Sequence, residues 1–108
     1  MASKNLAVSD LLDCYGGLLT EKQNRLVTCY YNDDLSLSEI SENEGITRQA
    51  VRDGIKRAEA QLFDYEAQLG LCDRLKRTAR QAEEICLLAK EIPDAQLRQK
   101  IIAIAEKM

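Results

Sequence analysis

The sequence contains no histidine and no tryptophan among its 108 residues. Without imidazole, the commonest general base at neutral pH is missing, as is the commonest metal ligand. Histidine triads and His-ligated zinc are therefore excluded. Long hydrophobic runs are missing too: the longest, such as residues 101–105, are far too short to cross a bilayer. The first ten residues have no apolar core of signal-peptide length. The four cysteines, Cys14, Cys29, Cys72 and Cys86, include no Cys-x-x-Cys pair, so they read as small buried hydrophobes with reduced thiols. Neither a glycine-rich phosphate loop nor a nucleophile beside a base is present. These absences imply a cytoplasmic protein with no membrane insertion, no cofactor and no catalytic activity.

What is present is charge and helical periodicity. Charged residues make up 31% of the chain and the net charge is -3, but the distribution is uneven. Residues 1–46 carry three basic and eight acidic side chains, whereas residues 47–62 carry Arg48, Arg52, Lys56 and Arg57 against Asp53 and Glu59. Apolar residues recur three and four apart almost everywhere and β-branched alternation is absent, which predicts an all-α fold. The spacing predicts a small helical bundle over residues 1–71 and a long helical extension over 72–108. That extension is expected to pack on the bundle or on a second subunit, making a homodimer. Its last helix uses Leu97, Ile101, Ile104 and Met108.

The helix starts are unusually well marked. Thr20 with Gln23 and Ser36 with Glu39 form capping boxes, in which side chain and backbone satisfy each other's free groups. Leu35 with Ile40, and Ile46 with Val51, occupy hydrophobic-staple positions, and Thr47 caps a further helix. Gly45 falls where a tight turn needs a left-handed backbone. From Thr47 an apolar stripe runs through Val51, Ile55, Ala58, Leu62, Tyr65, Leu69 and Cys72, with Gly70 loosening it. Residues 36–62 thus have the form of a helix-turn-helix.

The second helix of that corner directs Arg48, Gln49, Arg52 and Lys56 away from the apolar face. Arg48, Arg52 and Lys56 lie four apart and make one cationic ridge. Arginine bonds guanine bidentately, glutamine reads adenine edges, and a helix N-terminus at Thr47 presents N–H groups to phosphate. A basic ridge beside Asp53 and Glu59 is also what an ordinary solvated helix face looks like. A second cluster, Arg74, Lys76, Arg77 and Arg80, reads as such a face.

The strings LLTEKQ (residues 18–23) and YYNDDLSLSEISENEGITRQAVRDGIKRAEAQLFDYE (residues 30–66) resemble the YlxM family of small bacterial helix-turn-helix proteins. Within them, Val51, Ile55, Arg57, Ala58 and Leu62 follow a pattern similar to the promoter-reading C-terminal domain of sigma factors. Ser41 stands where such corners usually hold alanine. The resemblance implies DNA, or alternatively RNA, as ligand, with Thr47, Arg48, Gln49, Arg52, Lys56 and Arg57 as the contact set. It also implies a regulatory role linked to the signal recognition particle pathway, because genes of this family lie beside those of its GTPase and receptor. The competing reading is a protein–protein adaptor for signal recognition particle components that binds no nucleic acid; the acidic first 46 residues favour it.

Overall fold

A computed structural model describes residues 4–108. Among the described residues the regular elements are α1 (Ala7–Tyr15), a 3-10 turn (Gly16–Leu18), α2 (Glu21–Tyr31), α3 (Leu37–Glu44), α4 (Arg48–Leu69), α5 (Leu71–Ala89) and α6 (Ala95–Ala105). The chain is all-α, as its periodicity predicts. It divides into two compact units, residues 1–72 and 73–108. No helix among the described residues is long and apolar enough to cross a membrane.

In the first unit each helix starts for a local reason. The Thr20 hydroxyl accepts from Gln23 N at 3.1 Å while Thr20 N donates to Gln23 Oε1, also at 3.1 Å. Ser36 and Glu39 repeat the exchange at 3.1 and 3.2 Å. Caps of this kind contribute about 0.5–2 kcal/mol each. The helices then bury their apolar stripes against α4, whose Val51, Ile55, Ala58 and Leu62 are wholly enclosed. Val8, Leu11, Leu12 and Tyr15 of α1, Leu26 and Val27 of α2, and Ile40 of α3 complete the core. Full burial of such a side chain contributes roughly 1.5–3 kcal/mol. The approach of α2 to α4 depends on Gly54, where an added Cβ would lie 2.6 Å from Leu26 Cδ1.

The stripe running from Val51 to Cys72 does not belong to one helix. Gly70 adopts φ +61°, a left-handed conformation that closes α4 after Leu69, and α5 starts afresh at Leu71. Tyr15 explains why the break is stable. Its buried hydroxyl donates to Glu66 Oε1 and accepts from Leu71 N at 2.9 Å, while Cys72 N donates to Glu66 Oε1 at 3.0 Å. Two amides at the start of α5 are satisfied in this way. Burial, then the Glu66 carboxylate, raise the Tyr15 pKa.

In the second unit α5 gives way to a turn before Pro93, and Asp94 caps α6 by accepting from Gln96 N at 3.0 Å and Leu97 N at 3.2 Å. Among its described residues only Ala89 and Ala105 are fully buried apolar side chains. The stripe expected to pack α6 lies largely open: Leu97, Ile104 and Met108 are 48%, 68% and 53% exposed.

Candidate nucleic-acid interface

The corner between α3 and α4 is built by residues close in sequence. Gly45 takes φ +66°, ending α3, and Ile46 N donates to Ser41 O at 3.2 Å. The Ser41 hydroxyl donates to Ile46 O across the turn, so serine here laces the corner shut where the resembling corners carry alanine. Ile40 and Val51 are fully buried, and half-buried Leu35 and Ile46 pack against the same core. Both staple pairs thus set the entry angles of their helices. Arg25 of α2 locks the far end of α3 through Nε to Glu44 Oε1 at 3.0 Å, and the Glu44 carboxylate holds that guanidinium pKa above its usual value.

On α4, the Thr47 hydroxyl accepts from Ala50 N at 3.0 Å. Thr47, Arg48, Gln49, Lys56 and Arg57 are exposed, while Arg52 is half-buried. Among the described residues Arg48, Arg52, Lys56 and Arg57 have no ion-pair partner, in contrast to Arg25 beside Glu21 and Glu44. Gln49 is not a free amide: its Nε2 donates to Asp53 Oδ1 at 2.9 Å. This contact ties the side chain to the next turn of the helix.

Arg48, Gln49 and Arg52 form one wall of an open cleft of about 380 Å³, and Ser36, Leu37 and Ser38 at the start of α3 form the other. Arg52 Nε is buried and has no hydrogen-bond partner. A buried donor in that state costs about 1–3 kcal/mol. The periodicity anticipates the cationic face. It does not anticipate the half-burial of Arg52 or the serines opposite, because both arise from the angle between α3 and α4. Ser36 carries a signal, its capping box, that places it at that edge; Ser38 carries none.

A second cleft, of about 300 Å³, lies on the other flank of α4, where Thr20, Lys22 and Gln23 of α2 face Ala50, Asp53 and Arg57. Lys22 is exposed there and takes no part in an ion pair among the described residues. The donors around the first cleft suit binding of an anion, whereas the second sets the Asp53 carboxylate beside Lys22 and Arg57. No cluster of three or more acidic or cysteine side chains that could hold a metal occurs among the described residues.

Residues 2–106 match the family described as "Putative helix-turn-helix protein, YlxM / p13 like". A UPF0122 protein of Halalkalibacterium halodurans is 40% identical over 109 residues, spanning 100% of this chain and 96% of the relative. One from Limosilactobacillus reuteri is 46% identical over 88 residues, 82% of this chain and 78% of its own. One from Clostridium perfringens is 47% identical over 78 residues, 72% and 70% of the two chains.

Proposed function

The chain belongs to the YlxM/p13-like helix-turn-helix family, and from that premise we propose that it is a cytoplasmic DNA-binding regulator that works without catalysis. The observation that carries this reading is the outer face of α4. Its four cations make no ion pair with the protein's own carboxylates among the described residues, although Asp53 lies among them, while neighbouring Arg25 is paired. Phosphate would occupy the cleft before Arg48 and Arg52. Thr47, Gln49, Lys56 and Arg57 complete the contact set.

Affinity would come chiefly from displaced counterions, so binding should weaken with salt by about 0.9 logarithmic units per contacted phosphate. Four contacts predict roughly hundred-fold weaker binding at about 200 mM salt than at about 50 mM. The test is fluorescence anisotropy on mixed duplex DNA, with wild type beside Arg48→Glu/Lys56→Glu, two exposed positions whose change leaves the core intact. Wild-type binding that this variant abolishes supports the reading; no wild-type binding at low salt, or equal binding by the variant, overturns it.

One monomer offers few contacts. The open apolar stripe of the second unit favours a homodimer through residues 72–108, to be read by light scattering. The adaptor reading, with signal recognition particle components as partners, is favoured by the acidic residues 1–46 and predicts protein capture without any nucleic-acid affinity.

A further inference from the structure

We infer that Cys14 and Cys72 form a modification site: a dithiol that an oxidised small thiol converts to an intramolecular disulfide, tying the first turn of α5 to α1. The inference is independent of the nucleic-acid reading, since neither cysteine lines either cleft beside α4.

The pair is assembled where α4 closes. Gly70 ends that helix in a left-handed conformation and the chain turns at once into α5, so Cys72 falls in the first turn of the new helix. Tyr15 and Glu66 hold that turn: the Tyr15 hydroxyl accepts from Leu71 N at 2.9 Å and Glu66 Oε1 accepts from Cys72 N at 3.0 Å. The Cys72 thiol is thereby laid against α1, where its Sγ donates to Asp10 O at 3.7 Å. Asp10 stands four positions before Cys14, and residues so spaced share one face of a helix. The two thiols meet there in a side-chain hydrogen bond. Cys14 is half-buried and Cys72 is buried. Cys29, by contrast, neighbours Asp33, Glu44 and Arg25.

The exchange with oxidised glutathione runs in two steps. Cys14, the more exposed thiol, loses its proton and attacks one sulfur of the oxidant, forming a mixed disulfide and releasing a glutathione thiolate that takes up a proton. Cys72 then loses its proton and attacks Cys14 Sγ, so that the protein disulfide forms as the mixed disulfide breaks and a second glutathione leaves. The protein gives up two hydrogens with their electrons, and one glutathione disulfide becomes two thiols. The first attack is slow at neutral pH. Burial, then the Cys72 thiol, with Glu66 and Asp13 adding negative charge, raises the Cys14 pKa to about 11 and leaves little reactive thiolate. Below that value the rate should climb about tenfold per pH unit, so the pair responds to a lasting shift of the thiol pool and not to a brief one. In the reduced chain hydrogen bonds alone hold the first turn of α5 on Tyr15 and Glu66; the disulfide makes the tie covalent and closes a loop over residues 14–72, which restricts the unfolded chain.

The test incubates the folded full chain with oxidised glutathione, blocks the remaining thiols by alkylation and maps tryptic peptides by mass; the lysines and arginines place the four cysteines on four separate peptides. Wild type, Cys29→Ser/Cys86→Ser and Cys14→Ser are compared, with circular dichroism to verify folding. The expected result, in wild type and in the double variant, is a link between peptides 5–22 and 58–74 and a thermal midpoint about 10 °C higher after oxidation; Cys14→Ser should show neither. The wild-type map decides the question even where a variant folds poorly. Cys14 and Cys72 both remaining open to alkylation, glutathione staying on Cys14 undisplaced, or links that instead join Cys29, Cys86 or two chains would each overturn the inference. A link that forms only after unfolding in urea overturns it as well, because the folded juxtaposition would then play no part.

Discussion

The two units of the chain are equally helical but are held in different ways. Residues 4–72 enclose Val8, Val27, Ile40, Val51, Ile55 and Leu62 completely, whereas the described residues of 73–108 fully enclose nothing larger than Ala89 and Ala105. Cys14, Tyr15, Arg25, Cys29 and Tyr31, whose pKa values are raised, lie in the first unit. Helix signals are strong in both. The second unit has the Asp94 cap, an Asp73–Arg77 pair at 3.1 Å and an Arg98 bond to Ile92 O at 3.1 Å. Exposed pairs of that kind contribute only about 0.3–0.5 kcal/mol. Local signals therefore specify helices, but burial of large side chains decides which of them stand without help.

The largest effect should come from separating the units. Residues 1–72 alone should give a cooperative thermal transition by circular dichroism, and residues 73–108 alone should give none at low concentration. A cooperative monomeric transition in the second fragment would break the comparison. Next, Ile55→Ala in the full chain should lower stability by about 2–5 kcal/mol in urea titration, because the enclosed site cannot collapse around the void. Gly54→Ala should cost about 1–3 kcal/mol from the clash with Leu26, more than the roughly 1 kcal/mol that alanine gains in a helix. A stabilised variant would show that Leu26 yields.

A further contrast appears at high pH. Burial, reinforced by the adjacent Cys72 thiol, raises Cys14 from 9.0 to about 11, and burial with the Glu59 carboxylate raises Tyr31 from 10.0 to about 12. Both groups are neutral when protonated, and the fold binds those protons more tightly than the unfolded chain. Their stabilisation is complete below pH about 9 and declines as the pH rises through the folded values. Urea midpoints should fall across that range, and Cys14→Ala should flatten the portion between about 9 and 11. The smallest effect belongs to the second unit: Ile104→Ser, at a side chain 68% exposed, should change monomer stability by no more than about 0.5 kcal/mol.

Much of the first unit is legible in the sequence because its instructions are short-range. The capping boxes at Thr20 and Ser36, the cap at Thr47 and the left-handed Gly45 each involve residues within a few positions of one another. Gly70 carries no such short-range instruction, because whether a glycine bends a helix or ends it depends on what receives the next amides. Here the receivers are Tyr15 and Glu66, the former more than fifty positions away. The exposure of Arg48, Lys56 and Arg57 follows from periodicity alone, while the burial of Arg52 Nε and the cleft lined by Lys22 require the packed positions of α3 and α2. The open stripe on α6 shows the converse: spacing tells which side of a helix is greasy, and is silent on whether anything in the same chain covers it.

Asp53 deserves its place among those cations for what it withholds. A carboxylate set among Arg48, Arg52, Lys56 and Arg57 repels any polyanion that settles there, and that repulsion is offset only where the ligand gives it a hydrogen-bond donor. A surface so equipped grips any polyanion less firmly than its four cations alone would, and rewards a partner that supplies that donor.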